Sequence, residues 1–209
     1  MAIVYPLTLP TTRGASRARI SAKNVVAVSM SPFTLSQQVQ KHPGAAWEVE
    51  VDLASMSRAE AEVWSSFLLK LGGRYGTFLM GDPNAEIPRG AAAMSPGTPL
   101  VRGTGQTGQE IIFDGAPTSV TGYFLAGDYL QIGSGSSTRL HKVLEDCDSD
   151  ADGIVSATIW PALRASPADN AAIIVSAAKG IWRLNDNTIA WEERPGDRYG
   201  LSFSASEAI

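Results

Sequence analysis

The sequence predicts a mainly β protein with one principal α-helix. Three observations carry this. One stretch alternates apolar and polar side chains with period two, one capped segment spaces its apolar residues for a helix, and the second half breaks into short apolar runs between glycine-rich turns.

The alternation is clearest in Trp47-Glu48-Val49-Glu50-Val51-Asp52-Leu53, where the apolar side chains share one face and the acids the other. This is the pattern of a half-buried antiparallel strand. Phe33 to Val39 is its expected partner, joined through His42-Pro43-Gly44, where proline fixes φ and glycine permits a positive one. Ser57 with Glu60 three residues on forms a capping box, so a helix is expected over about 57–72. Val63, Trp64, Phe67, Leu68 and Leu71 make its apolar stripe, and Gly72-Gly73 supplies a left-handed stop. Tyr75 to Met80 reads as the next strand.

Between Gly81 and Pro99 the composition turns to proline, alanine, serine and glycine. Prolines 83, 88, 96 and 99 deny regular structure, so the stretch reads as a linker. Beyond it, Glu110 to Phe113, Tyr129 to Ile132, Leu140 to Leu144, Ile154 to Trp160 and Ile173 to Ala177 suggest a small barrel or sandwich. Ile181 to Leu184, Thr188 to Trp191 and Tyr199 to Ser204 close the chain as strands, with Asn185-Asp186-Asn187 as a hairpin turn. Ser204 to Ile209 is expected to be exposed.

Composition narrows the function classes. The 209 residues are long enough to bury a core, and only 18% are charged, below the usual share of about a quarter. Partners covering part of the surface would explain the shortfall. A net charge of −4 gives no general attraction to nucleic acid or an anionic membrane. The longest nearly apolar stretch, Ala171 to Ala178, is too short to span a bilayer as a helix, and the first residues do not read as a secretion signal. One cysteine, Cys147, excludes an intramolecular disulfide, and folding in a reducing cytoplasm is expected.

The motifs that suggest chemistry are incomplete. Gly103-Thr-Gly105-Gln-Thr-Gly108 matches a dinucleotide fingerprint but precedes a predicted strand, not a helix. Asp148, Asp150 and Asp152 with Gly153 open a calcium loop, yet its twelfth position is Ile159 where a bidentate glutamate belongs. A solvated acidic turn with Asp152-Gly153 at its corner is the competing reading, and the spacing leaves calcium open. His42 in a turn and His141 in a strand have no serine elbow nearby. Asp146 and Asp148 beside Cys147 disfavour its thiolate. Catalytic, cofactor-binding and metal residues are therefore all assigned as none. Of the five tryptophans, Trp47 and Trp64 belong to apolar faces, Trp182 and Trp191 suit a cross-strand pair, and Trp160 is the candidate for exposure. A carbohydrate-binding β module is the alternative those rings support.

The order of these features resembles a known family. Trp47 to Pro88 holds the alternating strand, the capped helix ending in Leu71-Gly-Gly-Arg-Tyr-Gly76, and Thr77-Phe-Leu-Met-Gly-Asp-Pro83. Val101-Arg-Gly-Thr-Gly-Gln-Thr-Gly108, Leu125-Ala-Gly-Asp128-Tyr-Leu-Gln-Ile132 and Tyr199-Gly-Leu-Ser-Phe-Ser-Ala-Ser-Glu-Ala208 add to it. Together they resemble the distal tail proteins, minor tail proteins of bacteriophages with long, non-contractile tails. These are packing and turn motifs, not catalytic ones.

The resemblance implies a structural virion protein with no enzymatic activity or cofactor. Its copies form a ring, hexameric by analogy, at the tail tip, assembled in the bacterial host cytoplasm. Partners would be the tail tube protein, the tape-measure protein and the tail hub protein, with no membrane and no specific nucleic-acid binding. It also implies a ring-forming β-sandwich or barrel core from residues 1–97 with 181–209, and a second small β-barrel, residues 98–180, inserted as a peripheral domain.

Elementary physics is compatible with that. A ring closes through two different complementary patches on each subunit, and its neighbours cover exposed sheet edges. A lumen passing DNA should avoid strong positive charge, so the directions of Arg13, Arg17 and Arg19 bear on the reading.

Overall fold

The computed structural model describes residues 3–12, 14–196 and 198–209; Arg13 lies outside them. Among the described residues thirteen strands and one α-helix follow in chain order. The first group is β1 (Leu7–Thr8), β2 (Ala15–Met30), β3 (Gln37–Leu53), α1 (Arg58–Leu71) and β4 (Phe78–Met80). Then come β5 (Leu100–Val101), β6 (Gly108–Asp114), β7 (Tyr129–Ile132), β8 (Arg139–Val143), β9 (Val155–Leu163) and β10 (Ile173–Ile174). The chain closes with β11 (Gly180–Leu184), β12 (Trp191–Arg194) and β13 (Arg198–Glu207).

The protein is mainly β with one helix, in two sheets. The first has the order β1-β4-β11-β13-β3-β2, with β12 added on β13, and is antiparallel except for β1 beside β4. The second has the order β10-β7-β8-β9-β6-β5. A bridge between Leu100 and Ala172 brings its two end strands together, so it is nearly a closed barrel. All strands of the second sheet lie between β4 and β11 in the chain.

β3 behaves as its alternation dictates. Trp47, Val49, Val51 and Leu53 are buried, and the acids between them face outward. Its neighbour is not Phe33 to Val39. β3 is one strand that runs straight through His42-Pro43-Gly44 and pairs with β2, a strand the sequence reading did not assign. The turn of this hairpin is at Ser31 to Ser36, closed by the Ser31 N–H on the Ser36 carbonyl (2.9 Å) and the Leu35 N–H on Ser31 (3.0 Å). At Pro43-Gly44 the register shifts instead: Asn24 pairs with Ala45 but Val26 with Lys41, so a two-residue step on β2 meets four residues on β3. Such a bulge tolerates a proline without N–H. A Cβ at Gly44 would come within 2.8 Å of Val25 Cγ2, so glycine lets the strands stay close there.

The helix obeys its caps. The Glu60 carboxylate accepts from the Ser57 backbone N–H and hydroxyl, both at 2.9 Å, and Gly72 ends the helix at φ 61°. Trp64, Phe67, Leu68 and Leu71 are buried, and Val63, one step round from Trp64, is exposed. Edge-to-face contacts link Trp64 to Phe67, Phe67 to Phe78 and Phe78 to Phe203, each with centroids 5.9 Å apart, fixing the helix on the sheet.

Other expectations are corrected. Gly81 to Pro99 is packed rather than a free linker: Ala91–Ala93 forms a 3₁₀ turn, and the N–H groups of Ala91 and Ala92 donate to Gly122 and Tyr123. The Tyr75 to Met80 strand shortens to β4, with Tyr75 exposed, and the Ile173 to Ala177 strand shortens to β10. Asn185-Asp186-Asn187 is not a hairpin turn, because β11 and β12 both pair with β13 and not with each other. Trp182 is core and pairs with Glu207, while Trp191 is half-exposed and pairs with Leu201, so the two make no aromatic pair. Ser204 to Glu207 belongs to β13, with Ala205 and Glu207 buried.

The two sheets share one core cluster, since Tyr129 and Leu140 of the barrel pack with Trp47 and Trp182. Trp47 donates its indole N–H to the Leu140 carbonyl (3.0 Å) and stands edge-on to Trp160 (centroids 4.4 Å). Trp160, expected to be exposed, is half-buried and donates to Asn24 Oδ1 at 2.9 Å.

Candidate assembly surface

β2 and β3 extend past the rest of their sheet. β13 pairs with β3 only from Glu48 to Asp52, whereas the β2–β3 ladder continues to Met30 and Gln37. From about Asn24 outward the hairpin is a two-stranded arm.

Its faces follow from the register. On the core side, Ala18, Ile20 and Ala22 stand across from Val51, Val49 and Trp47. At the register shift β2 advances by two residues and the extra residues are on β3, so the even-numbered side chains of β2 keep one side and Val26, Val28 and Met30 prolong that same face. Lys41, Val39 and Gln37 stand across from them. Val25, itself exposed, begins the other face, which Ala27 and Ser29 continue with Gln40 and Gln38 opposite, so that face is the more polar beyond Val25. The apolar face of the sheet therefore overruns the core that should cover it. Val26, Val28, Met30 and Val39 are all exposed, and Phe33 at the tip is 94% exposed. Apolar side chains exposed along an edge hairpin are unusual on a monomer surface.

The outward face at the arm's root is charged but balanced. Arg17 pairs with Asp52 (3.7 Å), Arg19 with Glu50 (3.6 Å) and Lys23 with Glu48 (2.8 Å). In these exposed pairs each cation has an acid across the strand, so Arg17 and Arg19 present no unbalanced positive field.

The aspartates and glycines of the incomplete motifs serve the fold. Asp148 Oδ1 accepts the Gly122 N–H (2.6 Å), Asp146 Oδ1 that of Ala126 (2.7 Å), and Asp150 Oδ1 those of Asp152 (2.9 Å) and Ile154 (2.8 Å). Their oxygens hold backbone amides of the loop, and Asp152-Gly153 sits at its corner. Among the described residues no cluster of three or more histidine, cysteine, aspartate or glutamate side chains is placed to hold a metal ion. In the glycine motif, Gly103 and Gly105 donate to Asp169 (2.7 Å) and Ser166 (2.9 Å), and β6 follows directly. The motif is a tight β-loop.

His42 is exposed on the arm, in strand rather than turn. His141 is buried, its Nδ1 bonded to the Pro161 carbonyl at 2.8 Å, and burial pushes its pKa down to about 4. It is neutral at physiological pH. Burial, with Asp148, Asp128 and Asp146 adding to it, pushes the Cys147 thiol up to about 11, which makes it a poor nucleophile. Asp128, from the Leu125-Ala-Gly-Asp128 phrase, is a buried staple: it accepts from Arg89 (2.8 Å), Gly90 (3.1 Å) and Leu125 (2.9 Å), tying the Gly81 to Pro99 segment to the barrel.

Sequence reasoning missed the arm. The signal for β2 was the alternation from Arg17 to Lys23, and for the arm the return of apolar side chains at Val26, Val28 and Met30. No family model and no curated protein matches this sequence.

Proposed function

We propose that this protein is a structural component of a bacteriophage tail, with copies joined into a ring at the distal end between the tail tube and the hub. The observation that carries the reading is the arm: an apolar strand face, continuous with the core, that leaves the monomer uncovered. Burying it requires a second protein surface, and an arm that docks on a different patch of the next copy gives the head-to-tail contact from which rings are built. The low charged fraction and the engagement of the aspartates, His141 and Cys147 in the fold support a role in assembly rather than reaction. The family resemblance supplies the phage tail, the hexameric number, and the tail tube, tape-measure and hub proteins as partners. The place of action is then the virion tail tip, after folding in the host cytoplasm.

Light scattering coupled to size-exclusion chromatography, followed by negative-stain imaging, tests this. Rings are expected, either alone or with tail tube or hub protein. A protein that stays monomeric at high concentration and forms no ring with either partner overturns the reading.

A further inference from the structure

At the opposite end of β2 from the arm lies a groove of about 480 Å³, walled by Leu9, Leu53, Trp64, Met80, Pro83 and Ala178. Two of its features describe what would fill it. Its walls are largely apolar, so an apolar occupant gains by leaving water. Asp82 and Glu86 line it with one lysine, Lys179, and this acidic excess favours a cation in the occupant. Trp64 contributes to one wall, but its indole N–H, without an acceptor among the described residues, is too deeply buried for an occupant to reach.

The arm has these properties. Val26, Val28, Met30 and Val39 share its exposed apolar face. From Asn24 to Gly44 the sequence has one charged residue, Lys41, which stands across from Val26 on that face. The arm cannot reach its own groove. Ala15 and Ala18, which line the groove, sit at the start of the strand that ends in the arm, and sixteen strand residues span about 50 Å.

We propose that the arm of one copy lies in the groove of the next copy, with its apolar face inward and Lys41 toward Asp82 and Glu86. The two patches differ and do not overlap, so the contact is heterologous and propagates until the rotation closes. This rests on the reading of the arm as an assembly contact, and it names the surface that receives it.

The test uses the full chain with a benzoylphenylalanine photocrosslinker at Val28 or Met30, mixed with isotopically labelled wild-type protein, and mass spectrometry of the linked peptides. Links from the arm to residues 9–18, 80–86 or 177–179 of the other copy are expected. Assembled protein whose links fall elsewhere overturns the groove while leaving the arm as an assembly contact. Monomer without intermolecular links overturns both. A charge swap guards against disruption by the probe. Lys41→Glu, and separately Asp82→Lys with Glu86→Lys, are each expected to weaken association about tenfold, and the triple combination to recover most of the loss. Losses that merely add overturn the pairing.

Discussion

Arg164, just past the end of β9, grips Glu207 on β13 with both terminal guanidinium nitrogens, Nη1 on Oε1 and Nη2 on Oε2, each at 2.6 Å. The same carboxylate accepts the Trp47 N–H at 3.2 Å, and Arg164 also donates to the Ala45 carbonyl at 2.6 Å. One bidentate pair thus ties the barrel to the last strand of the first sheet and to the root of the arm. The two partners are unequally buried, with side-chain exposures of 25% for Arg164 and 2% for Glu207.

That asymmetry predicts unequal mutants. Arg164→Ala strands a buried carboxylate and should cost about 3 kcal/mol. Glu207→Ala leaves an arginine that can reach water, and should cost clearly less. Urea unfolding of the two variants checks the order; equal losses would mean the arginine is as trapped as the glutamate.

A second prediction concerns close backbone approach. A Cβ at Gly90 would lie 2.4 Å from the Tyr123 carbonyl oxygen and 2.8 Å from that of Gly122, and neither is a side chain that can turn away. Gly90→Ala should therefore destabilise by about 1–3 kcal/mol. Gly200, in β13, has nothing within 4 Å of its would-be Cβ, so Gly200→Ala should be neutral or stabilise by up to about 1 kcal/mol. Thermal unfolding of both separates steric from entropic effects.

Stability should also depend on pH through His141. Burial, opposed by its bond to the Pro161 carbonyl, holds the folded pKa at about 4, whereas an unfolded histidine titrates near 6.5. Between those values the unfolded chain binds the extra proton, so stability rises with pH there. The contribution is complete above about pH 6.5 and is lost as pH falls toward 4, amounting to about 3 kcal/mol. In His141→Gln the slope of stability against pH in this window should drop by about one proton. An unchanged slope would assign the dependence to other groups.

The helix was legible because all its signals are local: Ser57 and Glu60 start it, Gly72 stops it, and the stripe between them has the right period. Strand pairing is not local. Pro43-Gly44 has the composition of a turn, and only the partner strand decides whether those residues turn the chain or bulge within a ladder. The closing strands were misjoined at Asn185 to Asn187 for the same reason, since β13 had to be placed before β11 and β12 could be seen flanking it. The arm illustrates a further limit. The alternation of Val26, Val28 and Met30 says that one face is apolar, but not that the monomer leaves it exposed.

The arm itself yields a prediction that separates folding from assembly. Val28→Lys with Met30→Lys changes side chains that touch no core residue on the exposed face, so monomer stability should shift by no more than about 0.5 kcal/mol. Association should fall to undetectable at concentrations where the parent forms rings. Sedimentation velocity beside chemical denaturation reads both; loss of folding would show that the arm supports the monomer.

Leu35 sharpens the same point. It sits in the arm's turn at φ 58°, in the left-handed region, with its side chain 67% exposed. A non-glycine residue there costs about 1–2 kcal/mol, and an exposed leucine recovers none of it within the monomer. Glycine relieves the strain and returns part of the gain as added freedom in the unfolded chain, so Leu35→Gly should stabilise the monomer by about 0.5–1 kcal/mol. If the leucine instead serves the contact between copies, the same substitution should weaken association. A variant that folds more tightly and assembles less well places Leu35 in the interface. One that does both better, or neither, shows that the side chain plays no part in assembly.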